Sequence, residues 1–411
     1  MKSPTSKPDS ALSRSKLVTL GGALLALILT ILVVHRMTSV GGTTYLRSDT
    51  FPESFRIAVI ADLDQSSKKE KSWYSLYMTV RGPLPPPAPL PCPHTRMRTL
   101  HPNHHHHHPP PPIRPPPLPL QGTLRRKGES YDISWDPPAE VSTAHNEAGR
   151  GCELSELIKF HDNLYTFDDR SGIMFQVMNF ARSDSADAPF LVPRHIFMEG
   201  PGDINDKGLK IEWATQKDGT MVVGSFGKEY TNNKGEVLHA NNLWTVAYKA
   251  DGTAAHVNWK GHYDAMRAQL GYAHPGYMIH EAVVWSPHFR KWFVFPRRVS
   301  RDPYDDVTDE KKGSNTVIIA SHDFSEVAAT TVGELTPERG FSSAKFLPGS
   351  RDTVVVALKS EENAKEGTQR TFITVFGEKP GSGGAEWRVL LEETPLPIAK
   401  KFEGVEVIGV A

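Results

Sequence analysis

Apolar and polar residues alternate in short bursts over most of this chain, and the bursts recur. From TLRRKGESYDISWD at residue 123 to the C-terminus, runs rich in Val, Ile, Phe and Trp are separated by Gly, Asp, Asn and Ser, the pattern of β-strands and turns. One polar position returns in a similar setting in each repeat: Ser155 in GCELSELIKF, Glu212 in GLKIEWATQK, Glu281 in YMIHEAVVWS, Ser342 in RGFSSAKFLP and Glu403 in KKFEGVEVIG. The intervals are 57, 69, 61 and 61 residues. After each of the first four comes a second β-rich run: LYTFDDRSG, MVVGSFGKE, WFVFPRR and VVVALKSEE. Equal spacing predicts an all-β fold, a five-bladed β-propeller whose repeated polar position faces a common axis. The fifth of these residues has almost nothing after it. The run RIAVIADLD, Arg56 to Asp64, is therefore expected to complete the last blade and remove its open edge. WYSLYMTV, Trp73 to Val80, continues the strand signal, and HYDAMRAQLG, His262 to Gly271, is the main helical candidate, read as decoration on a connection.

The ends and one internal segment break the pattern. Leu17 to Val34 is 18 residues without a charge. As a helix it would be ~27 Å long, close to the thickness of a bilayer core. Lys2, Lys7, Arg14 and Lys16 precede it against a single Asp9, which predicts a cytoplasmic N-terminus. The expected layout is a cytoplasmic tail over 1–16, a single transmembrane signal anchor over 17–34, a stalk over 35–55 and the propeller over 56–411. Cleavage after the apolar run would instead release a secreted form. Residues 81–121 are dominated by proline and hold His104 to His108 in a row, a composition that cannot bury a core. Metal capture, a polyproline ligand and a neutral loop expansion are all open for this insert.

Composition narrows the chemistry. Lysine plus arginine and aspartate plus glutamate number 47 each, so the formal charge of +0 gives no reason to expect nucleic acid. Two cysteines, Cys92 and Cys152, exclude a disulfide framework and a zinc finger. No GxxxxGK[ST] loop, HExxH pair, EF-hand loop or GxSxG elbow occurs. Three carboxylates and two hydroxyls on one axis would suit a hard cation such as calcium; the alternative is ordinary polar residues near strand starts. Charged clusters also stand at strand ends: Asp62 and Asp64; Asp168, Asp169 and Arg170; Lys228 and Glu229; Arg297 and Arg298; Lys359, Glu361 and Glu362. In a propeller these gather at the tunnel mouth. Carboxylates, a metal and cationic side chains are what metal-assisted phosphoanhydride hydrolysis needs.

The runs RIAVIADLD, ELSELIKFHDNLYTFDDRSG, KGLKIEWA, GKEY, PGYMIHEAVVWSP, KWFVFPRR, GFSSAKF, VALKSEE and FEGVEVI together resemble the soluble calcium-activated nucleotidase (apyrase) family, in its vertebrate Golgi and endoplasmic-reticulum branch. The resemblance covers about Arg56 to Ile408 apart from the insert. It implies a five-bladed propeller with one Ca²⁺ in the central tunnel and hydrolysis of the terminal phosphate of nucleoside di- and triphosphates, UDP and GDP foremost. Carried over motif by motif, the calcium shell falls on Ser155, Glu156, Glu212, Glu281, Ser342 and Glu403. Glu156 stands where the vertebrate pattern has aspartate. The catalytic assignments are Asp62, Asp168 and Arg298. Substrate contacts fall on Asp64, Arg170, Lys228, Glu229, Tyr230 and Arg297, with Tyr230 either stacking on the base or packing a blade edge.

The resemblance implies a type II Golgi or endoplasmic-reticulum membrane enzyme with a luminal catalytic domain. There it would remove the UDP left by glycosyl transfer and support proteoglycan synthesis. A homodimer is compatible with it. Two other readings stay open at this point: a non-catalytic, calcium-braced propeller that binds a partner, and a calcium-propeller lactonase. The paired arginines at 297 and 298 favour phosphate over ester substrates.

Overall fold

Five antiparallel blades, one a six-stranded sheet and four of them four-stranded, make up the fold. The structure, a computed structural model, describes residues 51–69, 72–79, 123–180, 188–202, 206–232 and 235–410. From inside outward, blade one is Lys401–Val410, Ser54–Asp62, Trp73–Thr79 and Ala139–Thr143. Blade two is Leu154–Phe160, Asn163–Asp168, Ile173–Met178 and Phe190–Ile196. Blade three is Trp213–Lys217, Thr220–Gly224, Trp244–Tyr248 and Ala254–Asn258. Blade four is Tyr277–Ser286, Lys291–Ser300, Thr316–Ala320 and Val327–Thr331. Blade five is Arg339–Phe346, Val354–Asn363, Thr368–Glu378 and Trp387–Pro395. The five innermost strands touch in cyclic order, so the sheets close into a propeller around an axis.

Closure works as the sequence predicts. Ser54–Asp62 pairs antiparallel with Lys401–Val410 from Phe55 opposite Val410 to Asp62 opposite Lys401. The two ends of the domain thus share one blade, and neither is left as an open edge. Strand Ser54–Asp62 begins two residues before the expected boundary at Arg56. Its other edge carries two partners in tandem: Trp73–Thr79 against Ala58 to Ile60, and Thr123–Lys127 against Ser54 and Phe55. The Pro/His insert falls between those two partners, and it lies outside the described residues, as do the tail, the apolar run 17–34 and most of the stalk. Among the described residues no helix is long and apolar enough to cross a membrane.

Burial follows position in the blade. The inner strand Leu154–Phe160 is buried at six of its seven positions, whereas no residue of the outer strand Ala254–Asn258 is buried. The apolar residues form five clusters, one between each pair of neighbouring blades. Phe55, Val356 and Phe402 join blades one and five, and Trp213, Trp259, Trp285 and Trp292 join three and four. Strand alternation explains this, because successive side chains of one strand reach opposite sheet faces and so opposite neighbours. Two-residue turns link the inner to the second strand in blades two and three; Asp218 and Gly219 both take positive φ (50° and 76°) in the latter. One helix is prominent, α1 at Lys260–Leu270, and it buries Tyr263, Met266 and Arg267.

Candidate metal centre and catalytic mouth

Four of the five inner strands carry a β-bulge at the repeated polar position. Glu281, Ser342 and Glu403 each have no cross-strand partner between paired neighbours. Glu212 donates its N–H to Gly224 O, which already faces Trp213, so two residues oppose one there as well. In blade two the extra residue is Glu156, one beyond Ser155. A bulge bends its strand and re-aims one side chain. Four of the five bulges aim a residue of the polar repeat, and the fifth aims Glu156.

The side chains so aimed meet at the inner end of the mouth. Arg297 Nη1 bridges Glu281 at 2.5 Å and Glu403 at 2.8 Å, and Arg297 Nη2 also bonds Glu362. Ser155 Oγ donates to Glu403 Oε2 at 3.4 Å. Glu212 pairs with Lys210 at 2.6 Å, and Lys210 reaches Asp169 as well. Burial pushes the Glu212 carboxyl up to about 8, against the pull of Lys210 and with the help of the Glu281 charge. Burial likewise raises Glu403 well above the usual carboxylate range despite Lys401. Ser342 Oγ is engaged with Phe402 O at 3.0 Å. Glu156 goes elsewhere: its oxygens take Lys345 Nζ, Ser343 Oγ and Leu157 N, each at 2.8 Å. Ser155, Glu212, Glu281, Ser342 and Glu403 are all hard, buried oxygen donors, the type of donor that fits a hard divalent cation.

Above this ring stand more acids. Asp62, Asp64 and Glu153 each present one oxygen within 4.8 Å of the others. Burial alone would raise Asp62. The Lys401 ammonium at 2.7 Å, together with the Asp64 N–H at 2.8 Å, holds it below its ordinary value and keeps it ionised. Asp64 goes the other way, raised by burial and by the Asp62 charge. Glu153 is pushed up to about 7 by burial although Arg150 pairs with it. Asp168, placed in the same group by sequence, spends its oxygens on the N–H groups of Cys152 (2.6 Å), Arg170 (3.0 Å) and Ser171 (2.9 Å). It shapes the 168–171 turn. Arg170 faces Glu147 at 3.1 Å.

Two further buried cations are Lys228 and Arg298. Lys228 donates to Glu229 O and Thr231 Oγ1, both at 2.9 Å, and lies 4.1 Å from the centre of the Tyr304 ring. Burial lowers its ammonium to about 8. Arg298 is 3% exposed, and among the described residues its side chain makes only long polar contacts, to Arg297 O at 3.5 Å and Asp309 at 3.7 Å. Two buried cations with incomplete partners are what a phosphate group would complete. Glu229 is committed to Arg267 of α1 by two bonds of 2.8 and 3.1 Å. Tyr230 stacks on His239 at 4.9 Å and stays half-exposed, so one ring both packs a hairpin and lines the surface. Arg297, expected at the phosphates, lies among the ring carboxylates.

Lys210, Lys401 and Glu153 were not singled out from the sequence. A signal existed: each stands two positions before a repeated polar residue, in KIE, KFE and ELS. Period-two alternation puts such residues on the same strand face as their neighbour, and so at the same mouth.

The family model for apyrases matches residues 119–408. Soluble calcium-activated nucleotidase 1 of Rattus norvegicus is 36% identical over 374 residues, covering 88% of this chain and 78% of its own length. An apyrase of Cimex lectularius is 36% identical over 294 residues (70% and 75%), and one of Phlebotomus duboscqi 39% over 291 (70% and 80%).

Proposed function

The chain belongs to the apyrase family, and on that premise we propose that it is a calcium-dependent nucleoside diphosphatase acting in the secretory lumen. It is a hydrolase of nucleotide phosphoanhydrides, as the family names of its relatives state for them. The observation that carries the calcium reading is the convergence of Glu212, Glu281 and Glu403 from three bulged strands onto one buried ring. Ser155, Glu212, Glu281, Ser342 and Glu403 would hold the ion, with Glu156 one strand position away on Lys345. When bound, calcium supplies positive charge beside the phosphates.

The chain's own groups divide the remaining work. Asp62, kept ionised by Lys401, orients a water and takes its proton. Arg298 and Lys228 supply the positive charge that the departing and transferred oxygens need. Tyr230 offers a half-exposed ring for the base. UDP and GDP are the proposed substrates, ahead of triphosphates. The apolar run 17–34 supports a single-span anchor that keeps the propeller luminal, in Golgi or endoplasmic-reticulum membranes, where clearing UDP favours glycosylation and proteoglycan synthesis. A homodimer is part of this proposal.

The test is phosphate release from UDP by residues 45–411, in millimolar Ca²⁺ and then in EGTA, beside Glu212→Ala. Release that needs calcium and vanishes in the variant is the expected result. A folded, calcium-binding protein that releases no phosphate from any nucleotide would overturn the enzymatic reading in favour of a calcium-braced binding module.

A further inference from the structure

Helix α1 does more than decorate a connection. It touches both the loop, through Arg267 and Glu229, and the residue next to Glu281, through Tyr263 and His280. His280 is the neighbour of Glu281 on the inner strand of blade four. Its ring is fully buried and lies nearly parallel to Tyr263 of α1, centroids 5.4 Å apart. Neither ring nitrogen has a hydrogen-bond partner among the described residues, so the ring acts by its faces. Its backbone N–H donates to Phe226 O at 2.9 Å, which ties this strand to the start of the GKEY loop.

Gly227 is held in the same contact. Its φ is +72°, and a Cβ there would lie 2.4 Å from the Tyr263 ring and 2.8 Å from His280. Two residues on, Glu229 is locked to Arg267 of α1 by the paired bonds, and Asp264 braces the same guanidinium at 2.5 Å. The loop that carries Lys228 and Tyr230 is therefore held at both ends: by His280 and Tyr263 at Gly227, and by Arg267 at Glu229.

We infer that α1 is a positioning element that couples the tunnel metal to nucleotide binding, by clamping the 226–230 loop between Tyr263 and Arg267 on one side and His280, beside Glu281, on the other. A shift of the Glu281 strand on metal binding moves His280 and, with it, the loop; a rigid contact chain of this kind carries coupling free energy between two sites. The inference rests on the metal and nucleotide reading given above.

The experiment compares residues 45–411 with Arg267→Met, Arg267→Lys and Gly227→Ala. Terbium luminescence reads the tunnel metal, and calorimetry with α,β-methylene-UDP reads nucleotide affinity in calcium and in EGTA. In the wild type calcium tightens analogue binding by roughly tenfold. In Arg267→Met and Gly227→Ala terbium affinity stays near wild type while that tightening falls to under about threefold; Arg267→Lys restores part of it. Full tightening in both Arg267→Met and Gly227→Ala overturns the coupling, and so does parallel loss of terbium and analogue binding, which marks a merely structural role. A wild-type chain that binds neither terbium nor the analogue overturns the metal and nucleotide reading itself, and the coupling falls with it.

Discussion

Single residues at this mouth are defined by which partner each charge takes. Lys228 shows the consequence most directly. Its ammonium is buried, and burial lowers it to about 8 from an ordinary 10.5. The unfolded chain therefore holds that proton between pH 8 and 10.5 while the folded chain has released it. The stability penalty of the buried charge is full below pH 8 and fades as pH rises towards 10.5. Activity runs the other way, because the cation that meets phosphate is lost over the same range. The kcat/KM for UDP is expected to fall as pH passes about 8. Lys228→Arg, whose guanidinium stays charged, should flatten that limb of the profile. An unchanged limb in the arginine variant would remove Lys228 from the phosphate contacts.

At the scale of elements, the inner strand is the functional unit. Its bulge aims the polar residue, and its close approach to the next inner strand sets the tunnel's width. Gly404 lies where two inner strands meet. A Cβ there would stand 2.5 Å from the Glu156 carbonyl carbon and 2.6 Å from Leu157 N, both backbone atoms with little room to yield. Gly404→Ala is expected to cost about 1–3 kcal/mol of stability, read as a lower melting temperature. Calcium should restore part of the loss if the ring still binds it. A melting temperature equal to wild type would mean that the inner strands are free to move apart. The five inner-strand positions were legible because they recur at strand spacing; for blade two the recurrence pointed to Ser155, whereas the unpaired residue is Glu156. A one-residue bulge is a property of two paired strands, so no single strand records it.

The whole molecule is held by its closure and by five cores of similar kind. Strands Trp73–Thr79 and Thr123–Lys127 both pair with Ser54–Asp62, so the ends flanking the Pro/His insert are fixed by one strand. Replacing residues 82–121 by a short turn should leave the fold intact and shift stability upward by about 2 kcal/mol at most, the entropy of closing a long loop. Differential scanning calorimetry of the deleted protein checks this. Loss of cooperative unfolding would make the insert part of the fold.

The chain by itself determined the number of blades, their order, the positions facing the axis and the closure of the ring. Each of these follows from spacing and alternation, which are local properties of a strand. Arg297 and Lys401 were both present in the sequence, but the place of Arg297 between Glu281 and Glu403 and that of Lys401 beside Asp62 were decided by the closed ring. The same holds for Glu156 turning to Lys345 and for α1 gripping the loop at Glu229. A charge finds its partner through space, across strands 106 residues apart for Arg297 and Glu403 and farther still for Asp62 and Lys401, and only the register of the finished sheets sets that distance.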